Sequence, residues 1–156
     1  MQRWIVTAVA VAMFLLVGGG GLAYWNYKQN LPHPVWVALP LNPELSDEKR
    51  DEAAKELKAK LGTAETLTRI SKDLNLTKKW QLASDEEAAG ELRRRLFVDI
   101  GEADSPLGKI PSLNIGVHGP RKDKGLSEEI ATHLMKDVRK ILGIKSPPPK
   151  EFRDGR

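Results

Sequence analysis

From Trp4 to Trp25 the chain carries no charged side chain, and no other feature restricts its fold so strongly. A helix over that stretch, at about 1.5 Å per residue, is roughly 33 Å long, enough to cross a hydrocarbon core of about 30 Å. Trp4 stands at one end and Tyr24, Trp25 and Tyr27 at the other, where amphipathic rings settle at a membrane–water boundary. The segment predicts a retained transmembrane anchor over residues 1–28, with Trp4, Phe14, Tyr24 and Trp25 as its anchoring residues. The alternative is a cleaved secretory signal, with Arg3 as its basic start, Trp4 to Val17 as its apolar run, and Gly21 and Ala23 flanking a cut. The glycines at 18–21 weaken a helix there, whereas Leu22, Tyr24 and Trp25 continue the apolar surface. Both readings send the remainder out of the cytoplasm, and the short basic N-terminus favours N-inside, C-outside.

The residues after the anchor suffice for one domain and not two. The chain has no cysteine, which excludes disulfides, thiolate metal sites and a cysteine nucleophile. Its 25 basic and 21 acidic residues leave a net charge of +4, but they are interspersed. No basic run is interleaved with aromatics, so a nucleic-acid partner is not expected. The one cluster, Arg93 to Arg95, falls late in a helical pattern, where cations suit the helix dipole, with Glu91 beside it.

Val35 to Leu39, set among prolines 32, 34, 40 and 43, reads as a short strand at an edge or an end. Ser46 then opens a helix with Ala53, Ala54, Leu57 and Leu61 on one face, ended by Gly62. Thr63 begins a second, with Leu67, Ile70 and Leu74. Residues 75–82 form a turn or short helix that holds Trp80 as a core plug, and Ser84 caps a third helix bearing Ala88, Ala89 and Leu92. Leu96 to Ile100 and Ile110 to Val117 alternate as strands of a hairpin, with a turn region over 102–109. A charged loop follows, then the most periodic helix, Leu126 to Leu142, with Ser127 as its cap and Gly143 as its stop. The domain is expected over 31–144, followed by an unfolded Pro-rich charged tail over 145–156. The fold class that results is α+β: one N-terminal transmembrane helix plus a small ferredoxin-like (split βαβ) sheet domain with helices on one face.

No catalytic constellation emerges. His33, His118 and His133 have no metal-ligand spacing, the serines lack a nucleophile elbow, and Asp85 to Glu87 are explained by a helix start. The chain is therefore expected to be no enzyme and to use no cofactor.

The stretches LTRISKDLNLTKKW (67–80), DEEAAGELRRRLFVDIGE (85–102), SLNIGVHG (112–119) and LSEEIATHLMKDV (126–138) follow one another in a telling order. Together they resemble the periplasmic domain of polysaccharide chain-length determinants (polysaccharide co-polymerases, Wzz-like). That family also begins with a transmembrane helix and a membrane-proximal strand, which Trp4–Trp25 and Val35–Leu39 mimic. This chain resembles a short form: it lacks the second transmembrane helix, the long helical hairpin, and the aspartate–proline pair that members often carry where it has residues 121–125 (RKDKG). The resemblance implies a bacterial inner membrane, a periplasmic domain, and a non-catalytic scaffold in surface-polysaccharide synthesis or export. Its partners would be the membrane and either a homo-oligomer or a larger polysaccharide-assembly membrane protein. The alternative is an anchored or secreted periplasmic binding module for an acidic polymer, with Arg121, Lys122 and Lys124 as a possible interaction loop. Trp36, Trp80 and Phe97 read as structural, which favours the scaffold, and the 112–119 strand is a candidate sheet edge.

Overall fold

The computed structural model of the chain describes residues 20–106, 108–144 and 153–154. A helix over 20–30 (α1) leads into strand β1, Pro32–Pro40. Four helical segments follow: α2 (Asp47–Leu61), α3 (Ala64–Asp73), α4 (Leu76–Lys79) and α5 (Asp85–Arg95). A hairpin of β2 (Leu96–Ser105) and β3 (Gly108–Pro120) comes next, then a 3-10 turn at Arg121–Asp123 and the long helix α6 (Lys124–Leu142). Arg153–Asp154 forms a two-residue strand, β4.

The sheet order is β2-β3-β1-β4, and every pair is antiparallel. Pro32 and Pro40 are the end residues of β1 and Pro34 lies inside it, and none interrupts the ladder to β3. The odd-numbered residues face β3: Leu31 O accepts from Arg121 N–H at 3.2 Å, and Leu41 N–H donates to Pro111 O at 2.8 Å. The three prolines occupy even positions, so the N–H each lacks would have pointed to the other side of the strand, where proline is tolerated.

The pleat sends Val35 and Val37, Leu113, Ile115 and Val117, and Leu96 and Val98 into one core with the helices. Leu57 and Leu61 of α2, Leu67 and Ile70 of α3, Leu92 of α5 and Ile130, Leu134 and Val138 of α6 fill that core. Trp36, Gly116 and Phe97 are aligned across the three strands in the alternate register. Phe97 stacks on His118 with ring centroids 4.6 Å apart.

Local chemistry explains most helix ends. Thr63 caps α3 by accepting from Thr66 N–H, and Ser84 caps α5 by accepting from Glu87 N–H at 3.2 Å. Glu87 in turn accepts from Ala83 N–H at 2.9 Å, a variant of the reciprocal capping box. Ser46 forms no side-chain cap. Gly143 closes α6 in the left-handed conformation, at φ 66°. That helix begins earlier than its apolar stripe suggests, because the 3-10 turn feeds directly into it. Ser127 is consequently not a cap; it is buried within the helix, against Gly119.

The structure corrects the expected fold class. The domain is a small α+β unit, a three-stranded antiparallel sheet with helices, and its fourth strand is reduced to two residues. Four helical segments fill the β1–β2 connection, where the sequence predicts helices from Ser46, Thr63 and Ser84 and a turn or short helix over 75–82. Among the described residues, no helix is long and apolar enough to cross a membrane. The described part of the N-terminal helix spans about 16 Å, roughly half a bilayer, and turns polar at Asn26, Lys28, Gln29 and Asn30. Trp4 and Phe14 lie outside the described residues. The hairpin is also longer than its alternation suggests, since pairing extends through the turn region out to Ser105 and Gly108.

Candidate functional surface

One end of the sheet gathers the features that the sequence scatters. Arg121 N–H bonds to Leu31 O, and Pro32 pairs with Pro120, so the loop after β3 sits where α1 passes into β1. Arg121 and Lys122 are exposed there, while Lys124 starts α6, 3.8 Å from Glu128. The three residues of the expected interaction loop thus share one place, although Lys124 is a helical residue with an ion-pair partner.

Beside this basic loop, α1 is exposed along its length except at Gln29. Leu22, Tyr24, Trp25 and Tyr27 are 71%, 67%, 62% and 66% exposed, and Leu31 is 41% exposed. Tyr24 and Trp25, expected as anchoring residues, are therefore uncovered side chains on the helix that leads into this end of the sheet. Large apolar side chains exposed at this density make α1 a candidate interaction surface. A smaller apolar group lies at the other end of α6, at Ile141, Leu142 and Ile144.

The 112–119 strand is not a sheet edge. β3 lies between β2 and β1, so its backbone groups pair on both sides. The edge beyond β1 is engaged at Val35 and Trp36 by β4. The strand's own alternation cannot reveal this, because edge and central strands with one buried face share the same pattern.

The titratable side chains of the described residues form no metal-holding group. No three His, Asp or Glu side chains stand close enough to hold a metal ion among them. His118 is engaged with Phe97, whereas His33 lies on β1 and His133 on α6. The buried carboxylate of Asp137 accepts from Arg69 at 2.6 Å. That hydrogen bond, outweighing the desolvation of the guanidinium, pushes the Arg69 pKa above the ordinary arginine range. This is an α3–α6 tie; a permanently charged partner gives it no proton to exchange. Trp80 packs against the core with the Arg95 guanidinium 4.6 Å from its ring centre, which leaves little of it to act as a ligand platform.

Pairing splits the arginine cluster at the end of α5. Arg94 and Arg95 both pair with Glu91, the latter at 2.8 Å. Arg93 points elsewhere and lines a groove of about 360 Å³ with Lys55, Lys58, Ala59, Gly62 and Leu96. The sequence reading missed this groove. The spacing of Lys55, Lys58, Ala59 and Gly62 on α2 does mark a second helix face, but only the fold places Arg93 opposite it.

Compared with family models, curated proteins and solved structures, the chain matches none of them.

Proposed function

We propose that the chain is a non-catalytic, membrane-associated scaffold domain. It works by docking on copies of itself or on a larger polysaccharide-assembly membrane protein, in the manner of the chain-length determinants that its apolar pattern resembles. The setting that goes with this reading is the periplasmic side of a bacterial inner membrane. Its mechanism is geometric: the domain is held against a surface and orders its partners there without covalent chemistry.

One observation carries the reading. An exposed helix bearing Tyr24, Trp25 and Tyr27 runs directly out of the uncharged N-terminal stretch and into β1, beside the cationic Arg121–Lys122 turn. Aromatic rings with neighbouring cations suit the interfacial zone of a membrane, and the same rings suit a protein partner seated there. Among the described aromatics outside α1, Trp80 and Phe97 are committed to packing and Trp36 is half-buried in β1, so a sugar-stacking platform has less support.

Photo-crosslinking from single positions tests the proposal. A photoreactive residue at Tyr27 is expected to trap a defined partner in membranes, either a second copy or one larger protein. The same probe at Lys72, on the exposed side of α3, is expected to trap none. Equal yields at the two positions, or none at Tyr27, would contradict the scaffold reading.

A further inference from the structure

The groove between the C-terminal ends of α2 and α5 gathers positive charge from two elements. Lys55, Lys58 and Arg93 line it from two elements that are distant in sequence, and all three are exposed. None has an ion-pair partner among the described residues, whereas neighbouring Lys60 is taken by Glu56 at 2.7 Å, and Arg94 and Arg95 by Glu91. The floor is aliphatic, from Ala59, Gly62 and the buried Leu96. At about 360 Å³ the space lies within the range of small-ligand sites.

Two opposing effects weigh on an anion here. The groove lies at the C-terminal ends of two helices, each equivalent to about half a negative charge. Three whole positive charges exceed those two halves, leaving roughly two in excess even before Arg93 is credited with its fork of donors. Lys55 is the weakest contributor, since it also borders a groove lined by Glu48, Asp51, Glu52 and Glu56. Neither Lys58 nor Arg93 lines that acidic groove.

The lining also selects the class of ligand. Its polar side chains are all cationic donors, and no side-chain acceptor and no aromatic ring is present. A neutral sugar, whose hydroxyls donate as well as accept, would find half of its hydrogen bonds unmet by side chains. A phosphoryl group only accepts, carries the opposite charge, and suits one planar fork plus point charges. The location agrees with this. Leu96 pairs with Val117, three residues before Pro120, so the groove lies at the end of the sheet that also carries the Arg121 turn and α1.

We propose that this groove binds a phosphoryl group, carried by a small phosphoester or by a lipid headgroup. The site is independent of the scaffold reading, and its test does not depend on oligomeric state.

The full chain in neutral detergent is titrated with inorganic diphosphate at low ionic strength and followed by calorimetry. Saturable binding is expected, and a Lys58→Met/Arg93→Gln double variant should bind roughly tenfold or more weakly, because charge-assisted hydrogen bonds are lost. An Arg121→Gln/Lys122→Gln variant should retain the affinity. No saturable binding to the wild-type chain, or equal losses in the two variants, would overturn the proposal. Amide exchange of residues 55–62 and 91–96 then identifies the source. Protection on adding diphosphate to chain in phosphatidylcholine vesicles marks a free phosphoester. The same protection without diphosphate in vesicles containing phosphatidic acid marks the headgroup, and protection in neither overturns the site.

Discussion

Replacing Gly116 by alanine forces a side chain into the narrowest part of the sheet. Gly116 lies opposite Trp36 in the β1–β3 pair, at a position where antiparallel strands approach most closely. A Cβ there would come 2.7 Å from both Cα and Cβ of Trp36 and would also collide with the Val35 carbonyl oxygen. Carbon atoms rest at about 3.5–4.0 Å, so the strands must part by roughly 1 Å. The obstacles are backbone atoms or are bonded directly to backbone, so no rotamer change relieves them. Overpacking of this kind costs about 1–3 kcal/mol, and one weakened ladder hydrogen bond adds about 1. A loss of about 3 kcal/mol should lower the melting temperature by about 10 °C in a domain of this size. The assay is thermal unfolding of the full chain followed by far-ultraviolet circular dichroism. Gly90→Ala supplies the control: nothing lies within 4 Å of its Cβ position in α5, and alanine should stabilise that helix by about 0.5–1 kcal/mol. A Gly116→Ala protein that melts within about 2 °C of wild type would refute the packing argument.

The remaining predictions concern single side chains. Arg69→Met should cost about 1–3 kcal/mol by leaving the Asp137 carboxylate buried without its cation, the range allowing for a half-exposed arginine. The raised Arg69 pKa keeps that contribution fully present below the unfolded arginine pKa and loses it only at still higher pH, so urea midpoints should show no Arg69-dependent change between about pH 6 and 9. Ser71→Ala should stabilise by about 1 kcal/mol, because the Ser71 hydroxyl is fully buried without a hydrogen-bond partner among the described residues; a destabilised variant would reveal a partner for it. Ser84→Ala should cost about 1 kcal/mol through loss of the α5 cap, measured by the same urea unfolding. The Glu56 carboxyl, held below its ordinary pKa first by the hydrogen bond from Lys60 and then by its charge, should titrate higher by NMR in Lys60→Met.

The sequence was most legible where one face of an element is buried. The stripes Leu57–Leu61, Leu67–Ile70, Ala88–Leu92 and Ile130–Val138 all point into the core, and the alternation of Leu113, Ile115 and Val117 marks β3. Breakers were less reliable guides. Pro40 ends β1 as expected, but Pro34 does not start it: the strand runs back to Pro32, because the shared parity of the prolines keeps the missing donors off the β3 ladder. Long-range placement was illegible: no local pattern shows that β3 is central or that Arg93 parts from Arg94 and Arg95 to face α2. Of the anchoring residues, Tyr24 and Trp25 are exposed in α1, and the membrane-crossing helix expected from Trp4–Trp25 is not found among the described residues.

The central claim is that this domain acts by docking its exposed N-terminal surface on partners. The most direct test is the mass of the full chain in mild detergent, measured by light scattering beside a Tyr24→Ser/Trp25→Ser/Tyr27→Ser variant. The native chain should form a defined assembly, or a stoichiometric complex when it is extracted from its own membranes, and the variant should shift towards single copies. A native chain that is a partner-free monomer in both preparations, or a variant whose assembly is unchanged, would contradict it.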